Sequence, residues 1–216
     1  MIFGLLLSLA AIAIIVVITE GLYRTGNINV EVSRKTIHIG TGTIIAFWPF
    51  FLPWVAIQLL SLLLLVAVVV SFKLHIFKSI HSVKRLTRGE ILFPIGIGLC
   101  ALLEPTPWVF TAAILHLAVA DGLAGVIGVH YGKNTRYTIL SHGKSLVGSL
   151  TFFVTSFVIL ATASFFISDA TQPYMFGWFI WSALVLTFVE NISWYGLDDI
   201  TVPISVIVIL TLLLPS

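Results

Sequence analysis

Apolar residues run almost unbroken for about the thickness of a bilayer, and short polar stretches then interrupt them. The runs fall near residues 2–19, 37–52, 54–72, 91–103, 107–129, 146–167, 174–190 and 200–214. About 20 apolar residues suffice for a membrane-crossing helix, with some latitude. The pattern therefore predicts an all-α, polytopic membrane bundle of about eight transmembrane helices. The run at 91–103 is short and contains Pro94, so it predicts a complete crossing or an equivalent re-entrant turn.

Composition agrees: 59% of the 216 residues are hydrophobic and 9% charged, against roughly 25% charged in a soluble domain. A soluble globular class is excluded. There is no internal repeat, long linker or low-complexity tail, so one domain over 1–216 is expected. The first run lacks a preceding positive residue and continues into Glu20, which predicts a retained helix rather than a cleaved signal. The single cysteine, Cys100, excludes an intrachain disulfide and a cysteine metal cluster.

With eight crossings and an outside N-terminus, every basic residue falls on one face: Arg24, Arg34, Lys35, Lys73, Lys78, Lys84, Arg85, Arg88, Lys133, Arg136 and Lys144. The opposite loops, near 49–53, 104–107 and 168–173, hold no Lys or Arg. The positive-inside rule makes the basic face cytosolic. Between the third and fourth runs, Ile76, Phe77, Ile80 and Val83 recur at helical spacing among basic residues. This predicts an interfacial helix that attracts anionic lipid or gathers an anionic nucleotide.

Candidate chemistry concentrates on that face. Asp121, Gly125, Gly128 and Gly132 stand at i, i+4, i+7 and i+11, so a carboxylate and three surfaces without side chains share one helix face. Such glycines pack membrane helices closely; a carboxylate is not needed for packing and at membrane depth points to function. Lys144 and Ser145 stand where the loop enters the sixth run, a seat for an anion at a helix N-terminus, although Lys144 alone also reads as an orientation-setting residue. Gly143-Lys144-Ser145 ends like a phosphate-binding P-loop, but Thr138 occupies the first glycine position and no strand is expected before it. Arg34 and His38 lie i, i+4 where the second run begins, beside Lys35, and serve either to clamp a phosphate or to anchor the helix. Glu190, Asp198 and Asp199 add carboxylates near the last turn. Asn191-Ile-Ser193 matches a glycosylation triplet but falls on the cytosolic side and is given no role.

These blocks, Arg34-Lys35-xx-His38, Asp121-Gly122-xx-Gly125-xx-Gly128-xxx-Gly132-Lys133, Lys144-Ser145-xx-Gly148-Ser149, and Glu190 followed by Gly196-Leu-Asp198 with Pro203, resemble the polyprenol kinase family in residues and in order. That family includes dolichol and phytol kinases, with CTP-dependent diacylglycerol kinase as a relative. The resemblance implies a membrane enzyme that moves the terminal phosphate of a nucleoside triphosphate, typically CTP, onto a long-chain isoprenoid alcohol, with Mg2+ as cofactor. It implies membrane lipid as surroundings and no nucleic-acid partner. Asp121, Lys144, Asp198 and His38 would then be catalytic. Asp121, Glu190 and Asp198 would hold the metal. Arg34, Lys35, Gly122, Gly125, Gly128, Gly132, Lys133, Ser145, Gly148 and Ser149 would bind the nucleotide. Asp199 departs from the asparagine expected at its position. The alternatives are a cytidylyltransferase forming a CDP-lipid, whose acidic Asp-Arg-x-Asp signature is missing here, and a small membrane transporter.

Overall fold

A computed structural model describes residues 2–74, 88–139, 142–167, 175–194 and 196–213. Each predicted apolar run is helical over most of its described length. In chain order the helices are α1 (Ile2–Arg24), α2 (Val30–Ala46), α3 (Trp54–Leu74), α4 (Arg88–Leu102), α5 (Pro107–Leu115), α6 (Asp121–Tyr131), α7 (Leu146–Ile167), α8 (Met175–Ile192) and α9 (Asp198–Leu213). A π-helical turn, His116–Ala120, joins α5 to α6, so 107–131 forms one central rod. The interfacial basic helix expected between α3 and α4 falls largely at 75–87, outside the described residues, as does the expected loop at 168–173.

Length separates these helices. Ile2–Arg24, Trp54–Ser71, Pro107–Tyr131 and Leu146–Ile167 are long and apolar enough to cross a membrane. The helices α4 and α9 have 15 and 16 residues, or about 22–24 Å at 1.5 Å per residue, against a hydrocarbon core of about 30 Å. Helix length alone thus supports four spans, while composition placed eight.

The start of α2 also differs from its apolar run. Asn29, in extended conformation, accepts a hydrogen bond from Val32 N at 2.9 Å and caps a helix that begins at Val30. An N-cap side chain satisfies an otherwise unpaired amide, so two polar turns carrying Arg34 and Lys35 precede the apolar stretch. These residues lie within a helix rather than at its entry.

Among the described residues, strands occur only in an antiparallel hairpin, β1 (Arg136–Ile139) with β2 (His142–Ser145), where Arg136 pairs with Ser145 and Ile139 with His142. The sequence reading placed a plain loop there. The pattern Arg-Tyr-Thr-Ile is too short to stand out beside runs of twenty apolar residues.

The central rod carries the core. Phe110, Ile114 and Leu117 are fully buried against Ile45, Ile97, Phe152, Leu160, Leu186 and Leu210. Close approach depends on small residues: a Cβ on Gly42 would run into Ala118, and one on Gly98 would stand 2.8 Å from Ser61 Oγ. At one end of the bundle Trp108 stacks on Phe166, with ring centroids 4.1 Å apart, and meets Phe50 edge-on at 4.7 Å. Asp121 lies roughly 20 Å farther along the rod, at the end where the charged residues gather.

Candidate functional site

The π-helical turn sets the position of Asp121. Its amide bonds to the carbonyl of His116, five residues back, so Leu117 O loses the partner an α-helix would give it. That carbonyl is 2.9 Å from Nε2 of His38 on α2. A carbonyl can only accept, so Nε2 carries the proton. The imidazole is packed against Phe93 at 4.3 Å and stands 3.8 Å from Asp121 Oδ2.

Lys35, one turn before His38, donates from Nζ to Asp121 Oδ2 at 2.7 Å. Its stem lies in the space left by Gly125, where a Cβ would stand 2.7 Å from Lys35 Cε. Arg34 turns away, to Glu31 Oε2 and Glu90 Oε1, each at 3.1 Å. Arg34 and His38 therefore do not form the clamp that their i, i+4 spacing suggested. Arg34 ties α2 to α4, and His38 ties α2 to the rod.

A second ion-pair group faces the first. Gly196, with φ 84°, turns the chain into α9 and brings Asp198 to its first position. Lys144 on β2 pairs directly with the Glu190 carboxylate, reaches Glu190 O at 3.2 Å and stands 3.9 Å from Asp198 Oδ2. Burial opposes the ammonium charge, but the Glu190 and Asp198 carboxylates outweigh it and hold the Lys144 pKa above 10.5. Lys144 is thus a paired cation that also lines a cavity beside these carboxylates.

Asp121, Glu190 and Asp198 each offer an oxygen, and these atoms lie within 4.8 Å of one another; His38, Asp121 and Asp199 make a second such group. Glu190 is 5% exposed, and its Oε2 is buried without a hydrogen-bond partner among the described residues. The four carboxylates of these groups outnumber the two ammonium groups paired with them. Oxygen ligands with surplus negative charge suit a hard divalent cation such as Mg2+. A cavity of about 330 Å³ opens beside them, lined by Asp121, Gly125, Gly128, Arg136, Lys144, Ser149 and Glu190 among others.

The glycines serve close packing, and some also line the cavity: a Cβ on Gly128 would stand 2.8 Å from Ser145 Oγ. A Cβ on Gly122 would collide with Ile39, and one on Gly132 with Ser145, so these two let elements approach. Gly125, Gly128 and Gly148 line the cavity. Ser145 Oγ accepts from Gly148 N at 3.1 Å and donates to Gly128 O at 3.3 Å, capping α7 and fastening it to α6. Lys133 is exposed and does not line the cavity.

Sequence reasoning missed several residues. Tyr137 donates to Asn191 Oδ1 at 2.5 Å and lies 2.5 Å from Ser149 Oγ, itself 3.0 Å from the same Oδ1. This junction anchors the hairpin to α7 and α8, so Asn191 has a structural part unrelated to the glycosylation triplet. Arg136 lines the cavity and has no carboxylate partner among the described residues. Its place in a basic loop was visible, but its approach to the carboxylates depends on the hairpin. Asp199, 5% exposed, joins the second group.

No protein-family model matches the chain, and no solved structure matches it. A phytol kinase of Synechocystis sp. is 30% identical over 202 residues, covering 88% of this chain and 82% of that protein. An uncharacterized protein of Rickettsia prowazekii is 27% identical over 201 residues, covering 84% of this chain and 94% of its own. Another, from Methanocaldococcus jannaschii, is 26% identical over 176 residues, covering 76% and 82%. By the identity and coverage of the phytol kinase match, the chain belongs to the polyprenol and phytol kinase family.

Proposed function

We propose that this protein transfers the terminal phosphate of CTP to a long-chain isoprenoid alcohol, at the cytosolic boundary of a membrane that its chain crosses eight times. The observation that carries the reading is the convergence of Asp121, Glu190 and Asp198 with Lys35 and Lys144 beside one cavity. Carboxylates for a metal and cations for phosphate oxygens are the parts that phosphoryl transfer uses. The phytol kinase relative supports the choice of an isoprenoid alcohol.

In this reading Asp121 and Glu190 hold the cation, and Lys144 neutralises phosphate oxygens across the cavity. When bound, Mg2+ supplies Lewis-acid charge stabilisation for the triphosphate. The alcohol lies between helices with its tail in hydrocarbon, and its hydroxyl oxygen attacks the terminal phosphorus. The bond from that phosphorus to its bridging oxygen breaks, CDP leaves, and Asp198 takes the hydroxyl proton. Gly125, Gly128 and Gly148 put bare backbone on the cavity wall along which the nucleotide lies.

The test is purified protein with radiolabelled nucleoside triphosphates and a panel of lipid alcohols, with products separated by chromatography. The expected products are CDP and a lipid monophosphate. Pyrophosphate with a CDP-lipid would establish a cytidylyltransferase instead, and no nucleotide turnover with any alcohol would overturn the kinase reading.

A further inference from the structure

Asp121 belongs to both groups of convergent ligand atoms, and it is also the carboxylate that Lys35 holds at 2.7 Å. A divalent cation bound by Asp121 and Glu190, with Asp198 beside it, would sit about 2.0–2.1 Å from a carboxylate oxygen of each of the first two. The Lys35 ammonium would then lie only a few ångströms from the ion, where like charges repel strongly in a partly desolvated site. The two cations therefore compete for Asp121 even when they take different oxygens.

The neighbouring glycine shows where Lys35 can go. A Cβ on Gly125 would stand 2.7 Å from Lys35 Cε and 3.1 Å from Nζ, and Gly125 lines the cavity. The ammonium thus rests against the cavity wall in a slot that any side chain would close. Lys35 does not itself line the cavity, but Asp121 and Gly125 beside it do, so reaching a ligand there requires rotation of its flexible terminal bonds past these two residues.

We propose that Lys35 is an exchangeable counter-ion of Asp121, seated in the slot of Gly125, which passes to a phosphate oxygen of the nucleotide when the carboxylate accepts a divalent cation. This rests on the metal reading of the site given above. It makes Gly125 a positioning residue for Lys35, a role distinct from helix packing and from lining the cavity. It also links the two ligands: each cation that Asp121 accepts releases one ammonium to the anion arriving with it.

The experiment measures Mn2+ binding by electron paramagnetic resonance, without nucleotide, for detergent-purified wild type, Lys35→Met, Gly125→Ala and Asp121→Asn. Lys35→Met removes the competing charge and is expected to bind Mn2+ on the order of tenfold more tightly, with a raised KM for the nucleotide. Gly125→Ala keeps the charge but displaces it, and should also tighten Mn2+ binding. A merely structural lysine would loosen the site when removed, so wild-type or weaker affinity in both variants would overturn the proposal while leaving the metal reading intact. Binding of Mn2+ that Asp121→Asn does not weaken, or no saturable binding in wild type, would overturn the metal reading and this exchange together.

Discussion

Lys144 illustrates how little a single residue type says before its partners are known. Its ammonium is committed to Glu190 and Asp198. Replacement by alanine removes the charge proposed to face phosphate and leaves Glu190 buried without its cation. Lys144→Ala should lower kcat about 10²-fold or more, with the protein still recovered in the membrane fraction; near wild-type turnover would exclude a part in catalysis. The contribution of the Lys144 ammonium is fully present below pH 10.5 while Glu190 is ionised, because its folded pKa is raised, and is lost as pH climbs through that higher value. Any loss of activity between pH 6 and 9 must then come from groups other than the Lys144 ammonium. The presence of Asp121, Lys144 and the glycines was legible as polar or small residues amid apolar runs. The choice of Lys35 as partner of Asp121 was not, because 86 positions separate the two and only folding brings them together.

Among the elements, the short α4 and α9 matter through one contact. A Cβ on Gly96 would run into the backbone carbonyl of Asp199, and backbone at a helix start cannot turn aside as a side chain can. Gly96→Ala should therefore push the first turn of α9, with Asp198 and Asp199, away from Asp121. The expected outcome is at least tenfold lower kcat/KM with a thermal midpoint reduced by overpacking of about 1–3 kcal/mol; unchanged kinetics would show that the carboxylates tolerate this shift. Periodicity located both helices, since apolar runs are read directly. It gave no sign of the π-helical turn at His116–Ala120 or of the hairpin at 136–145, because hydropathy carries no information on which carbonyl each amide selects. The cap at Asn29 was open to sequence reasoning, as an asparagine before a helical stretch, but the apolar window passed over it.

For the whole molecule, the two ends of the bundle make opposite predictions about access. Thr106, near the aromatic end, and Lys133, beyond α6, are both exposed, while the native Cys100 is fully buried. Single Thr106→Cys and Lys133→Cys variants should react with a membrane-impermeant maleimide from opposite sides of sealed vesicles, with wild type unlabelled. Labelling of both from the same side would refute a full crossing by 107–131.

By itself the sequence determined the helical class, the positions of the apolar segments and the residue types available for chemistry. These follow from local composition, since solvent preference and helix formation act over neighbouring residues. Only the tertiary structure decided which acid meets which cation, that Gly125 shelters Lys35 while Gly122 packs against Ile39, and that Glu190 and Asp198 share Lys144. Those pairings depend on distances between segments far apart in the chain, and close packing of the helices around the central rod fixes them.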